Sequence, residues 1–167
     1  FQVCCVDKNQ NKIDSLKNNI MPIYEPGLES LVIKNKEAGR LTFSNNIDKE
    51  IQKADIIFIA VGTPTRRGDG HADLTYVYEA AEKIAKNLNG YTVIVTKSTV
   101  PVGTGIEVKK IIEKINPNAN FDIASNPEFL REGNAIEDFM RPDRVVVGIE
   151  NNKAKEIISS IYKPLFL

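Results

Sequence analysis

Residues 56–96 read IIFIAVGTPTRRGDGHADLTYVYEAAEKIAKNLNGYTVIVT, and the order of patterns in this stretch decides the fold. The run 56–61 is apolar without alternation and of strand length, as a strand covered on both faces requires. In 74–88 the apolar residues Leu74, Val77, Ala81, Ile84, Ala85 and Leu88 recur at the spacing of one helical face, and Gly90 supplies a stop. A second strand-length run, 92–96, follows. A strand, a helix and a strand in this order predict a parallel pair joined by a crossover.

The same alternation extends in both directions. Further strand-length runs lie at 1–6, 121–124 and 145–149. Helical spacing recurs in Ile13, Leu16 and Ile20, in Leu28, Leu31 and Val32 between Pro26 and Gly39, and in Val108, Ile111, Ile112 and Ile115. A last helix, with Ala154, Ile157, Ile158 and Ile161, has Asn151 or Asn152 as its cap. The expected fold is α/β, a doubly wound, Rossmann-like parallel sheet in one domain over residues 1–167.

Lysine plus arginine number 22, equal to aspartate plus glutamate, so the overall charge offers nothing to nucleic acid or an anionic membrane. No leader pattern is visible, and no apolar stretch approaches the roughly 20 residues that span a bilayer. Cys4 and Cys5 are neighbours in an apolar run and cannot readily form an ordinary disulfide together. They are expected to be reduced and buried, in a cytoplasmic protein. His71 alone makes no zinc spacing, so no metal site is expected.

Candidate chemistry sits where strands end. Asp7 closes the first run; an acidic residue at the carboxyl end of a strand in a dinucleotide-binding fold bonds ribose hydroxyls and favours NAD over NADP. Asp7 reads equally well as a cap of the next helix. The loop Gly62-Thr63-Pro64-Thr65-Arg66-Arg67-Gly68-Asp69-Gly70 has small residues that let a flat ligand approach. Arg66 and Arg67 read as solvated or phosphate-facing, and His71 as an exposed polar residue rather than a base. Lys97-Ser98-Thr99-Val100-Pro101-Val102-Gly103-Thr104-Gly105 offers hydroxyls and amides for a carboxamide, a phosphate or a water, or else simply caps a helix. In 126–133, Asn126 as cap and Pro127 as first helical residue would put Glu128 and Glu132 on one helical face. Such a pair is ordinarily a solvated face; it also suits a carboxylate that activates water.

Taken together, Tyr24-Glu25-Pro26-Gly27-Leu28, Gly62-Thr63-Pro64-Thr65 with Gly68-Asp69-Gly70, Lys97-Ser98-Thr99-Val100-Pro101, and Asn126 onward to Gly133 resemble the UDP-glucose/GDP-mannose dehydrogenase family. The likeness covers essentially the whole chain. It implies NAD as cofactor and oxidation of the C6 alcohol of a sugar nucleotide to a carboxylate, UDP-glucose to UDP-glucuronate, with two NAD used in succession. In the family a cysteine thiol traps the intermediate aldehyde, and the second oxidation leaves a thioester that water hydrolyses. By resemblance, Asp7 and Lys12 contact the adenosine ribose and Thr63 lies beside the cofactor. Thr99 holds the catalytic water, Glu128 acts as general base, and Glu132 lies next to the nicotinamide. Glu128, Phe129, Leu130, Arg131 and Glu132 form the segment that meets the substrate.

The resemblance also sets expectations about what lies outside these residues. The family's first strand and glycine-rich turn would precede Phe1. The central helix, through which members dimerise, and the UDP-sugar-binding domain with the nucleophilic cysteine would follow Leu167. Residues 1–167 are therefore expected to be a partial NAD-binding domain, inactive alone and marginal in folding, with Cys4 and Cys5 excluded as nucleophiles. GDP-mannose is the alternative substrate; a non-catalytic NAD-binding module and an inactive gene remnant are the alternative functions.

Overall fold

The structure, a computed structural model, describes residues 1–66, 68 and 70–166. In chain order its elements are β1 (Val3–Val6), α1 (Gln10–Lys17), α2 (Leu28–Glu37), β2 (Leu41–Ser44), α3 (Ile47–Ile51), β3 (Ile56–Ile59) and α4 (Thr75–Asn87). They continue with β4 (Tyr91–Thr96), α5 (Thr104–Ile115), β5 (Asn120–Ser125), α6 (Ala135–Met140), β6 (Gly148–Ile149), α7 (Asn152–Tyr162) and a 3-10 turn, Lys163–Phe166. The chain divides into two compact units, one of Phe1–Glu50 with Phe129–Asp143, the other of Ile51–Glu128 with Arg144–Leu167.

The second unit is a sheet in the order β3-β4-β5-β6. β3, β4 and β5 run parallel, as the pattern at 56–96 predicts. β4 is central, and Thr92, Val93, Ile94, Val95 and Thr96 are all buried. Its side chains alternate between two covered faces. Val93 and Val95 join Ala124 in a cluster with Ala154, Ile158 and Tyr162 of α7, against which Leu165 also packs. Ile94 and Ile123 share the other face, where α5 comes so close that a Cβ added to Gly105 would lie 3.4 Å from Ile123 Cγ2. Helices therefore cover both faces, the doubly wound arrangement. One expectation fails: the apolar run 145–149 yields only Gly148–Ile149, and that short strand pairs antiparallel to β5.

The first unit holds a parallel pair, β1 and β2. β2 escapes a reading of apolar runs because Leu41-Thr42-Phe43-Ser44 is half polar. α1 begins at Asn9, whose Oδ1 accepts from the Lys12 N–H at 3.2 Å, and ends before Asn18. Ile20, expected on its apolar face, lies beyond it and is exposed. The α1 carboxyl end is closed from outside: Lys36 Nζ donates to the Lys17 carbonyl at 2.6 Å and the Leu16 carbonyl at 3.3 Å. A lysine at that position complements the negative end of the helix. Cys4 is half-buried and Cys5 exposed, contrary to the expectation of burial, because β1 side chains alternate between two faces and each face has an exposed residue; neither thiol is in a disulfide.

Candidate functional site

In the β3–β6 unit the loops leaving β3, β4 and β5 lie at the carboxyl ends of adjacent parallel strands, where open α/β sheets bind ligands. Side chains tie these loops to one another. Ser98 Oγ donates to the carbonyls of Val61 at 2.7 Å and Ile59 at 3.3 Å. Thr63 Oγ1 donates to the Thr99 carbonyl at 2.9 Å. The Thr99 side chain is left exposed. Thr104 Oγ1 returns to the Pro101 carbonyl at 2.8 Å, so α5 starts after a turn with Gly103 at φ 91° rather than under a side-chain cap.

The third loop corrects the sequence reading. Residues 126–131 are not helical, and the nearby helix, α6, begins only at Ala135. Asn126, 1% exposed, caps nothing. Its N–H continues the sheet to the Thr96 carbonyl at 3.0 Å, its Nδ2 donates to the Val146 carbonyl at 2.8 Å, and its Oδ1 accepts from the Tyr162 hydroxyl. Pro127 further holds Asn126 extended. Glu128 and Glu132 thus do not share a helical face. Glu128 is half-buried at the end of the β5 loop and interacts electrostatically with Lys97. Burial pushes the Lys97 ammonium below its ordinary value while the Glu128 charge works the other way. The sequence marks Lys97 only as the start of a motif and gives no sign of its pairing with Glu128, because half-burial beside an acid is a tertiary property.

In the β1–β2 unit the structure separates the two readings of Asp7. The cap of α1 is Asn9; Asp7 Oδ1 accepts from the Asn9 N–H at 2.9 Å and Oδ2 pairs with Lys12 Nζ at 2.6 Å. The Lys12 ammonium holds the Asp7 carboxyl below the ordinary carboxylate range, helped by the Asn9 amide and opposed by partial burial. Asp7 and Lys12 therefore form one charged pair beyond the carboxyl end of β1. Elsewhere in this unit Phe129 is 60% exposed and Leu130 37%, and Arg131 and Glu132 are exposed. Arg131 is engaged by Asp138 of α6, which accepts from its N–H at 2.9 Å, its Nε at 3.0 Å and a terminal nitrogen at 2.6 Å. This pairing holds the Asp138 carboxyl well below the usual range, and sequence reasoning missed it.

His71 is exposed, and its carbonyl accepts from the Arg66 N–H at 2.7 Å, closing the loop after β3. Arg67 and Asp69 of that loop, and Leu167, lie outside the described residues. Among the described residues no group of three or more potential ligands is placed to hold a metal, and no helix is long and apolar enough to cross a membrane.

Residues 1–166 match the NAD binding domain of the UDP-glucose/GDP-mannose dehydrogenase family. The chain belongs to that family. Over 167 residues it is 57% identical to UDP-glucose 6-dehydrogenase of Rhizobium meliloti (strain 1021), covering 99% of this chain and 38% of that protein. It is 54% identical to UDP-glucose 6-dehydrogenase TuaD of Bacillus subtilis (strain 168), covering 98% and 35%. Among solved structures, a UDP-glucose dehydrogenase from Pyrobaculum islandicum superposes with a TM-score of 0.93 at 38% identity, over 98% of this chain and 39% of that one. A GDP-mannose dehydrogenase from Pseudomonas aeruginosa gives 0.92 at 32% identity, with coverage of 98% and 39%. The dehydrogenase-family domain thus spans well under half the length of these relatives, and it carries the family's NAD-binding fold.

The chemistry of the residues fits NAD. Asp7 is a charged acceptor with a cation beside it, and a Cβ added to Gly62 would meet nothing within 4 Å, which leaves the mouth of β3 open to a flat group.

Proposed function

We propose that this chain supplies the NAD site and the water-activating groups of a cytoplasmic nucleotide-sugar 6-dehydrogenase that oxidises UDP-glucose to UDP-glucuronate. One observation carries the reading: the carboxyl-end loops of β3, β4 and β5 are cross-linked through Ser98, Thr63 and Asn126, with the Thr99 hydroxyl exposed and Glu128 half-buried at their ends. Nothing in a simple capped-helix arrangement calls for that convergence.

NAD, when bound, supplies the two-electron oxidant, and two are consumed per sugar. Asp7 accepts from the adenosine ribose hydroxyls, and its charge disfavours a phosphorylated ribose. Lys12 keeps that carboxylate charged and oriented. By the family resemblance, Thr63, Thr99 and Glu132 would be the further residues that hold the cofactor. Thr99 Oγ1 holds the attacking water, and Glu128 accepts its proton as the water opens the thioester. Glu128, Phe129, Leu130, Arg131 and Glu132 meet the nucleotide sugar.

By the family resemblance, the thioester forms on a cysteine outside residues 1–167, and Cys4 and Cys5 of β1 are not that nucleophile. In this reading residues 1–167 are part of an NAD-binding domain and do not complete the reaction alone. The whole enzyme adds a central helix, through which it forms a homodimer, and a UDP-sugar-binding domain. Identity of 38% with a UDP-glucose dehydrogenase structure, against 32% with a GDP-mannose dehydrogenase structure, supports glucose over mannose.

The test is to purify the natural gene product, record its intact mass, and follow NADH formation with UDP-glucose and with GDP-mannose. Turnover of UDP-glucose with about two NADH per sugar, as an acyl-enzyme route requires, supports the reading. A preference for GDP-mannose overturns the substrate. Absence of turnover with both, in a polypeptide of the relatives' length, overturns the function.

A further inference from the structure

The Tyr24-Glu25-Pro26-Gly27-Leu28 motif has no part in the mechanism above. Pro26 and Gly27 occupy the centre of a four-residue turn closed by the Leu28 N–H on the Glu25 carbonyl at 3.1 Å. Gly27, at φ 83° and ψ −10°, has the geometry of the third residue of a type II turn. Proline presets the position before it, and the positive φ calls for glycine. The turn leads directly into α2 and so fixes where Glu25 sits.

The Glu25 carboxylate then reaches across 108 and 110 residues of sequence. Oε2 accepts from the Gly133 N–H at 2.8 Å and Oε1 from the Ala135 N–H at 2.9 Å. These amides lead into α6, whose own N-cap residue, Asn134, makes no side-chain capping bond. An anion there satisfies donors that a helix start leaves open. Gly133, at φ 80°, turns the chain between the two bonds. From within α6, Asp138 grips the same stretch through Arg131 and, at 2.8 Å, through Asn134 Nδ2. Residues 131–135 are thus held by two carboxylates, one local and one brought by the Pro26-Gly27 turn.

We propose that Glu25 is a positioning residue for the nucleotide-sugar segment: by fixing Gly133 and Ala135 it sets the path of Phe129, Leu130, Arg131 and Glu132. The inference rests on the reading above that this segment meets the nucleotide sugar. A residue that only caps α6 would lower stability when altered and leave sugar affinity in the folded protein unchanged. A positioning residue changes sugar affinity and leaves the cofactor alone.

The experiment uses the natural polypeptide that contains this domain, as wild type, Glu25→Gln and Glu25→Asp. It measures amide exchange at Gly133 and Ala135, calorimetric affinity for UDP-glucose and for NAD, and KM and kcat. Glu25→Gln replaces one acceptor oxygen with a donor, so loss of a charge-assisted bond should speed exchange at one or both amides and weaken UDP-glucose binding by roughly tenfold. NAD affinity should stay within about twofold and kcat at saturating sugar within about threefold, the pattern of lost substrate positioning. Glu25→Asp, which keeps both acceptors, should recover part of the sugar affinity. Faster exchange with unchanged UDP-glucose affinity overturns the proposal and leaves a helix cap. Unchanged exchange overturns the contact itself. A wild-type protein that binds no nucleotide sugar overturns the functional reading and the substrate half of this proposal, while the exchange arm still decides whether Glu25 holds Gly133 and Ala135.

Discussion

In the β3–β6 unit, β4 has five consecutive buried residues from Thr92 to Thr96; in the β1–β2 unit, β1 leaves Val3 49% and Val6 36% exposed. The first unit's buried apolar side chains, among the described residues, are Ile13 and Val32, whereas the second has Ile94, Val95, Val108, Ile112 and Ile158 with others. What the first unit lacks in apolar burial it replaces with polar ties: Lys36 on the end of α1, Glu25 on Gly133 and Ala135, Asp138 on Arg131. Apolar burial is the larger and less directional contribution, while hydrogen bonds contribute less net stability and define geometry more narrowly. The proposed division of labour follows this contrast. Water activation is assigned to loops anchored on the rigid sheet, and ribose recognition to a charged pair on the more exposed one.

The largest effect expected is on turnover. Glu128→Gln in the natural enzyme should lower kcat by about 10²- to 10⁴-fold, the range for loss of a general base, with KM for NAD little changed. Full activity in this variant would remove the catalytic half of the contrast. Next comes stability: Ile94→Ala should cost about 3 kcal/mol in urea unfolding, because the removed atoms leave a cavity in a filled core. Val3→Ala should cost under about 0.5 kcal/mol, as at an exposed site, and a cost near that of Ile94→Ala would show that β1 is covered in solution.

A smaller effect is expected at Asp7. Asp7→Asn should raise the KM for NAD roughly tenfold and leave kcat unchanged, as for the loss of one charged hydrogen bond. The depressed pKa of Asp7 means that the carboxylate is already charged above its ordinary value, and its contribution is lost only as pH falls through the lowered folded value. NAD affinity should therefore not follow an Asp7 titration between about pH 5 and about pH 8. An affinity that falls in that range and becomes flat in Asp7→Asn would contradict the pairing with Lys12.

The smallest effect belongs to the amino end of β4. Tyr91 donates to Asp122 Oδ2 at 2.6 Å, and partial burial together with that carboxylate pushes its pKa from 10.0 up to about 12. The fold favours the protonated phenol, so this contribution is complete below 10.0 and disappears as pH rises towards about 12. Thermal unfolding should show a decline across that window that Tyr91→Phe lacks, a difference of about 2 °C or less.

Much of the fold was legible because its deciding signals are local. The helix at 74–88 and the runs beside it carry their period within a few residues, and strand carboxyl ends follow from them, which is why the loops that hold Thr63 and Thr99 could be placed; the roles of those two residues are implied by the resemblance alone. β2 was hidden by the two polar residues in its four. The stretch at 126–133 misled because Asn126-Pro127 has the local chemistry of a helix start. Its side chain is instead held by Val146 and Tyr162, 20 and 36 residues away. Cys4 and Cys5 look like core residues in an apolar run, yet burial depends on what covers β1 and not on the run itself. The tie from Glu25 to Gly133 could not be read from a motif of five residues, since its partner is 108 residues distant.

The most direct test of the account is rapid-mixing measurement of NADH released by the Glu128→Gln enzyme with saturating UDP-glucose and NAD. If Glu128 serves only to activate water, both oxidations still occur and the enzyme then stalls as the thioester, giving a burst of about two NADH per active site followed by very slow turnover. The absence of a burst, or steady turnover at the wild-type rate, would contradict that role.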